Sequence, residues 1–241
     1  MKAVAIIPAR YDSSRLPGKV LKDICGKTMI ERVYNQSKQA ENIEQVIVAT
    51  DDSRIFKAVE DFGGQVVMTG EHPTGTDRVA EAATKIEADV IINVQGDEPT
   101  LKPEMLEQLL KPFKQDKSLQ MGTLKKKITQ ADKIKNPNIV KVICDNDDFA
   151  LYFSRARIPY NRGESDIDYY KHIGIYAYRK DFLLEYTNLE TTPLEKSESL
   201  EQLRALENGY RIKVVETEYE AFGVDTPEDL AEVREQLTVE S

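Results

Sequence analysis

A chain of 241 residues with 40% apolar residues is long enough to bury one or two cores, and its formal charge of −9 excludes a general nucleic-acid binder, which needs a basic face. The longest early apolar run, residues 3–7, stops at Pro8 and Arg10, far short of the ~20 residues of a membrane span or the ~7 of a leader. Two cysteines, Cys25 and Cys144, make neither a metal spacing nor a disulfide framework, which predicts a soluble protein of a reducing, cytoplasmic compartment. The charge is uneven. Residues 216–241 hold nine acids against one base, Arg234, so the rest of the chain is nearly neutral and open to an anionic ligand.

In chain order, residues 4–7 read as a buried strand, and Thr28 with Glu31 forms a capping box opening a helix to about Ala40. Residues 46–49 read as a second strand. Ile55, Phe56, Val59 and Phe62 make a helical stripe ended by Gly63 and Gly64. Residues 66–68 are a third strand, 77–88 a helix and 90–94 a fourth strand. Continuously apolar strands alternating with helices predict a doubly wound α/β fold, its mostly parallel sheet covered on both faces.

After Pro112 the pattern turns β-rich: residues 121–127, 140–144, 150–154 and 172–178 read as strands, and 161–168 as a polar loop. Residues 195–208 read as one helix stopped by Gly209, 212–215 as a strand, and 227–237 as a closing helix with Pro at its first turn. No Pro/Gly/Ser linker divides the chain, so residues 1–241 are expected to form one domain, with about 120–211 as a β-rich insertion.

In such a sheet, ligands bind beyond the strand C-termini. The loop after the first strand carries Arg10, Arg15 and Lys19 against one acid, Asp12. Two guanidinium forks and one mobile ammonium suit a polyphosphate, although a solvated loop explains the charges as well. The loop fits neither GxxxxGK[ST] nor GxGxxG. Asp97 follows the fourth strand and Asp225 a later apolar run. Either carboxylate could hold Mg²⁺ or could cap a helix or turn.

The run IIPARYDSSRLPGK (residues 6–19), TGTDR (74–78), NVQGDEP (93–99), ALYFSR (150–155), KHIGIYAY (171–178), LEQLR (200–204) and GVDTPEDL (223–230) occur in this order. Together they resemble the 3-deoxy-manno-octulosonate (Kdo) cytidylyltransferases over residues 3 to about 237. The resemblance implies a nucleotide-diphospho-sugar transferase-like fold whose insertion forms the sugar site and dimer region. It also implies a Mg²⁺-dependent reaction of CTP with an acidic eight-carbon sugar, for lipopolysaccharide or capsule, in a cytoplasmic homodimer with no nucleic-acid or membrane partner. It assigns Arg10, Arg15 and Lys19 to the triphosphate, with Lys19 stabilising the departing pyrophosphate, and Asp97 and Asp225 to the metal. Thr50, Thr74, Gly75, Arg78 and Gln95 fall to the nucleotide. Gln95, Arg155, His172, Tyr176, Glu201 and Gln202 fall to the sugar. Taken singly, His172, Tyr176, Glu201 and Gln202 fit plain structural roles as well.

Two departures bear on the sugar. TGTDR stands where many members have SGTER, and Tyr160 follows Ile158 and Pro159 where many have tryptophan. Residues 154–159 also resemble the branch that uses 8-amino-Kdo, and KHIGIYAY with ESLEQLR (198–204) the capsule-associated branch. A nucleotide-binding module without catalysis is the alternative of a different class.

Overall fold

The computed structural model describes residues 1–13, 15–163 and 165–239. Ser14 of the first loop, Glu164 of the polar loop and Glu240 of the acidic tail lie outside them. Contacts divide the chain into two units, Met1–Glu107 with Glu220–Ser241, and Gln108–Tyr219. The elements are β1 (Ala3–Ala9), a 3-10 turn (Lys19–Leu21), β2 (Asp23–Ile24), β3 (Lys27–Thr28), α1 (Met29–Lys38), β4 (Gln45–Thr50), α2 (Ser53–Asp61), β5 (Gln65–Met68), α3 (Gly75–Thr84), β6 (Val90–Asn93) and α4 (Pro103–Gln115). They continue with β7 (Met121–Lys127), α5 (Ala131–Lys135), β8 (Lys141–Cys144), β9 (Ala150–Ser154), β10 (Tyr170–Arg179), α6 (Lys180–Tyr186), α7 (Pro193–Glu198), α8 (Leu203–Glu207), β11 (Ile212–Glu216) and α9 (Pro227–Val239).

The first unit is built on parallel strands in the order β6-β1-β4-β5. β1 lies inside, paired on both edges, and residues 3–7 are fully buried, as a strand covered on both faces requires. β5 departs from the expectation of full cover. It pairs with β4 alone within this unit, none of its residues is buried, and Met68 is 42% exposed. Helix α1 starts at Thr28, whose Oγ1 accepts the Glu31 N–H. Helix α3 starts two residues earlier than the spacing suggests, because Thr74 is its N-cap, and it ends at Thr84. The closing helix α9 packs Leu230 and Val233 on Leu16, Ile24 and Met29. This returns the chain end to the first loop.

In the second unit β11 pairs parallel with β7, β7 antiparallel with β10, and β8 antiparallel with β9 and, at Lys171 and Lys141, with β10. Three expectations need correction. Helix α4 was not among the expected elements. Pro103 starts it, and Met105, Leu106, Leu109, Leu110 and Phe113 bury one stripe strongly enough to hold Pro112 inside the helix. Helix α6, which buries Phe182, Leu183 and Tyr186, was also unexpected. The single helix over residues 195–208 is two short ones, α7 and α8, because Ser199 turns left-handed at φ 51°.

Candidate active site

The loop after β6 comes against β1 at Gly96, where a Cβ would lie 3.0 Å from the Pro8 carbonyl oxygen, tight enough that a side chain there would push the two backbones apart. Gly18, at φ 65°, turns the first loop back with its N–H on Tyr11 O at 3.0 Å and starts the turn that carries Lys19. Asp225 is delivered by a backbone bond from Val224 N–H to Asp97 O at 2.9 Å, and the Phe222 N–H donates to Thr100 Oγ1 at 2.8 Å. These contacts enclose a cavity of about 290 Å³ lined by Arg10, Arg15, Lys19, Thr74, Gly75, Arg78, Gln95, Asp97 and Asp225.

The Lys19 ammonium lies between two carboxylates, 2.5 Å from Asp97 Oδ2 and 2.9 Å from Asp225 Oδ1. Arg15 Nη2 lies 2.9 Å from Asp225 Oδ2. Burial alone would lower the Lys19 pKa, but Asp97 and Asp225 outweigh it and raise it. Arg10 is exposed on the cavity wall. Thr74 Oγ1 accepts from the Asp77 N–H at 3.1 Å and donates to Asp77 Oδ2 at 2.8 Å, so the Thr/Asp departure within TGTDR keeps a closed helix cap. The α3 N-terminus at Gly75 therefore faces the cavity with unspent amides suited to an anion.

Two predicted nucleotide residues are buried, although Arg78 also lines the cavity. Arg78 is buried and ties loops together, donating to Thr69 Oγ1 and Asp51 Oδ2, both at 2.6 Å. Thr50 is fully buried, accepts the Asp52 N–H at 3.2 Å and does not line the cavity. Sequence reasoning missed His72, which lines the cavity with its Nε2 2.7 Å from Glu81 Oε2. His72, the Gly70 N–H and Lys85 hold the Glu81 carboxyl down at about 2. The available signal was a histidine two residues before TGTDR with an acid nine positions on.

The other predicted sugar residues lie in the second unit. The β10 register shifts between Ile173 and Tyr176, and the His172 and Tyr176 rings come to 5.4 Å with Phe153 edge-on to His172 at 5.0 Å. Thr123 Oγ1 lies 3.0 Å from His172 Nε2 and within 3.0 Å of the Ile173 and Ile175 carbonyl oxygens. The hydroxyl has one hydrogen, which goes to a carbonyl. It therefore accepts from His172 Nε2–H and leaves Nδ1 as an acceptor. Burial pushes Tyr176 well above its usual range, with Tyr186 and Glu201 adding to the shift. Arg155 donates to the Glu198, Pro137 and Ser199 carbonyl oxygens at 2.8, 3.2 and 3.4 Å. Glu201 and Gln202 sit in the turn between α7 and α8, not on a helix face.

Desolvation between its ring neighbours lowers His172 from 6.5 to about 3. As pH falls, the unfolded chain takes up this proton before the folded one. The stability tied to the neutral ring is therefore complete above about 6.5 and drains toward pH 3, at up to ~1.4 kcal/mol per pH unit. A His172→Gln variant is expected to lose unfolding free energy less steeply than wild type between pH 6.5 and 4 in denaturant titrations. Equal slopes would show that the ring is not buried neutral.

Among the described residues no helix is long and apolar enough to cross a membrane. The α/β fold and this cavity are those of a nucleotidyltransferase, and the chain belongs to the cytidylyltransferase family, whose profile matches residues 4–213. It is 55% identical, over 97% of its own length and 96% of the relative's, to the 3-deoxy-manno-octulosonate cytidylyltransferase of Fusobacterium nucleatum subsp. nucleatum. It is 51% identical to the enzyme of that name from Geotalea uraniireducens, over 98% and 99% of the two chains. A solved structure of CMP:2-keto-3-deoxy-manno-octonic acid synthetase complexed with CTP superposes with a TM-score of 0.96 at 46% identity, covering 100% of both chains.

Proposed function

We propose that this protein transfers the cytidylyl group of CTP to 3-deoxy-D-manno-octulosonate, giving CMP-Kdo and pyrophosphate, as a Mg²⁺-dependent cytoplasmic homodimer. The observation that carries the reading is the convergence of Arg10, Arg15 and Lys19 with Asp97 and Asp225 in one cavity. The shared name of the relatives supports the sugar. The exposed Leu151 and Leu194 of the second unit offer apolar surface for a second copy.

Asp97 and Asp225 fit a divalent ion. Their oxygens already meet at one cation, the Lys19 ammonium, and Mg²⁺ takes one or two carboxylates together with phosphate oxygens and water. Bound there, the ion supplies charge neutralisation and orientation to the phosphates. Arg10, Arg15 and the α3 N-terminus hold the triphosphate. The sugar's anomeric hydroxyl forms the new bond to the α-phosphorus as the bond to pyrophosphate breaks and the hydroxyl proton is released. Lys19 stabilises the departing charge. His172, neutral with Nδ1 as acceptor, takes a sugar hydroxyl in preference to the carboxylate. The guanidinium of Arg155, with three of its five N–H groups on carbonyls, offers the remaining two to the carboxylate.

Pyrophosphate release with CTP and Kdo, run beside 8-amino-Kdo, tests the reading. Release that requires both CTP and Kdo and stops with a chelator is expected. A large preference for the amino sugar would replace the substrate, and release insensitive to chelation would remove the metal.

A further inference from the structure

The second unit buries an ion pair that the reaction does not use. Glu195 of α7 and Arg204 of α8 are 8% and 7% exposed. The guanidinium meets the carboxylate at two points, Nε to Oε2 at 2.9 Å and Nη2 to Oε1 at 2.5 Å. Removing two ions from water is costly, and an apolar pair of similar volume serves a core at least as well. The segment between the two residues supplies another reason for the pair.

Between Glu195 and Arg204 the chain leaves α7 at the left-handed Ser199 and turns through residues 200–202 into α8. Tyr186 donates its hydroxyl to Glu201 O at 2.7 Å, and the Arg204 guanidinium lies 5.4 Å over the Tyr186 ring. Gln202 is 4% exposed, and its Nε2 has no hydrogen-bond partner among the described residues. A turn that buries a bare amide donor does not choose that conformation by itself, because the orphaned group is penalised. Groups outside the turn hold it: the Tyr186 hydroxyl on Glu201 O, Arg155 on Ser199 O, and the forked contact that joins its two ends.

We propose that Glu195 and Arg204 are positioning residues that hold turn 199–202 so that the buried Gln202 amide is left without a protein partner, as a donor for a polyhydroxylated, acidic ligand. This deepens the proposed function and rests on it. The test compares wild type with the double variant Glu195→Leu/Arg204→Met, reading the thermal midpoint, the separate KM values for CTP and Kdo, kcat, and a crystal structure of the variant. The expected result is a folded protein with CTP KM within about twofold, Kdo KM raised at least tenfold, kcat little changed and a displaced turn. If the apolar pair does not fold, Arg204→Lys carries the same test, since it keeps the charge but loses the fork. An unchanged turn, or a Kdo KM equal to wild type in a folded variant, would overturn the proposal. So would equal rises in both KM values, which indicate general packing. Wild-type protein inactive with CTP and Kdo would overturn the functional reading instead, and the position of the turn in the variant would still decide this inference.

Discussion

Changing Asp97 to Asn, or Asp225 to Asn, is expected to lower kcat by at least ~10²-fold while the fold persists, because a misplaced Lewis acid costs most of the charge stabilisation phosphoryl transfer needs. Both side chains are partly exposed, at 28% and 46%, and the contact that brings the two segments together is the main-chain bond from Val224 to Asp97. Circular dichroism should therefore be unchanged. The Asp97 variant should be the worse of the two, since Asp97 is the less exposed carboxylate, whereas Asp225 divides its charge between Lys19 and Arg15. Steady-state rates across a Mg²⁺ titration check this. Near-normal rates for both variants at low Mg²⁺ would show that the ion is held elsewhere.

How far the sequence carried this picture depended on where the determining contacts lie. The strands of the first unit are legible because burial on both faces writes itself as unbroken apolar runs, as in residues 4–7 and 46–49. Edge strand β5 has the same composition but half the cover, a difference no local pattern records. Helix α4 went unread although its apolar stripe was present on both sides of Pro112. The break at Ser199 was hidden because residues 195–208 keep helical periodicity without glycine or proline, and the turn is set by partners outside it, Arg155, Tyr186 and the Glu195–Arg204 pair. In the active site, charge spacing suited the first loop to an anion but did not separate that role from a solvated loop, and Lys19 meets carboxylates 78 and 206 positions away. Motif resemblance, not spacing, brought those residues together. His72 escaped notice because its role is visible only through Glu81 and the cavity wall.

The Lys19→Met variant is expected to separate two roles of one side chain. With substrates bound, it removes a charge-assisted contact worth about 1.5–3 kcal/mol, or about one to two decades in CTP affinity or rate, with little change in the sugar's KM. Without nucleotide, Lys19 is the cation on which Asp97 and Asp225 converge, so its loss leaves two carboxylates facing each other with Arg15, on Asp225, as their remaining counter-ion. Their repulsion is relieved by a divalent ion. Mn²⁺ binding to the nucleotide-free variant should therefore be tighter than to wild type even as turnover falls. Because the two carboxylates raise the Lys19 pKa above 10.5 despite burial, the ammonium stays charged below that value. The effect should then be constant from pH 6 to 9, with no inflection from this group. Weaker Mn²⁺ binding would place the metal away from the pair. A rise in the sugar's KM with CTP use unaffected would mean that Lys19 serves the other substrate.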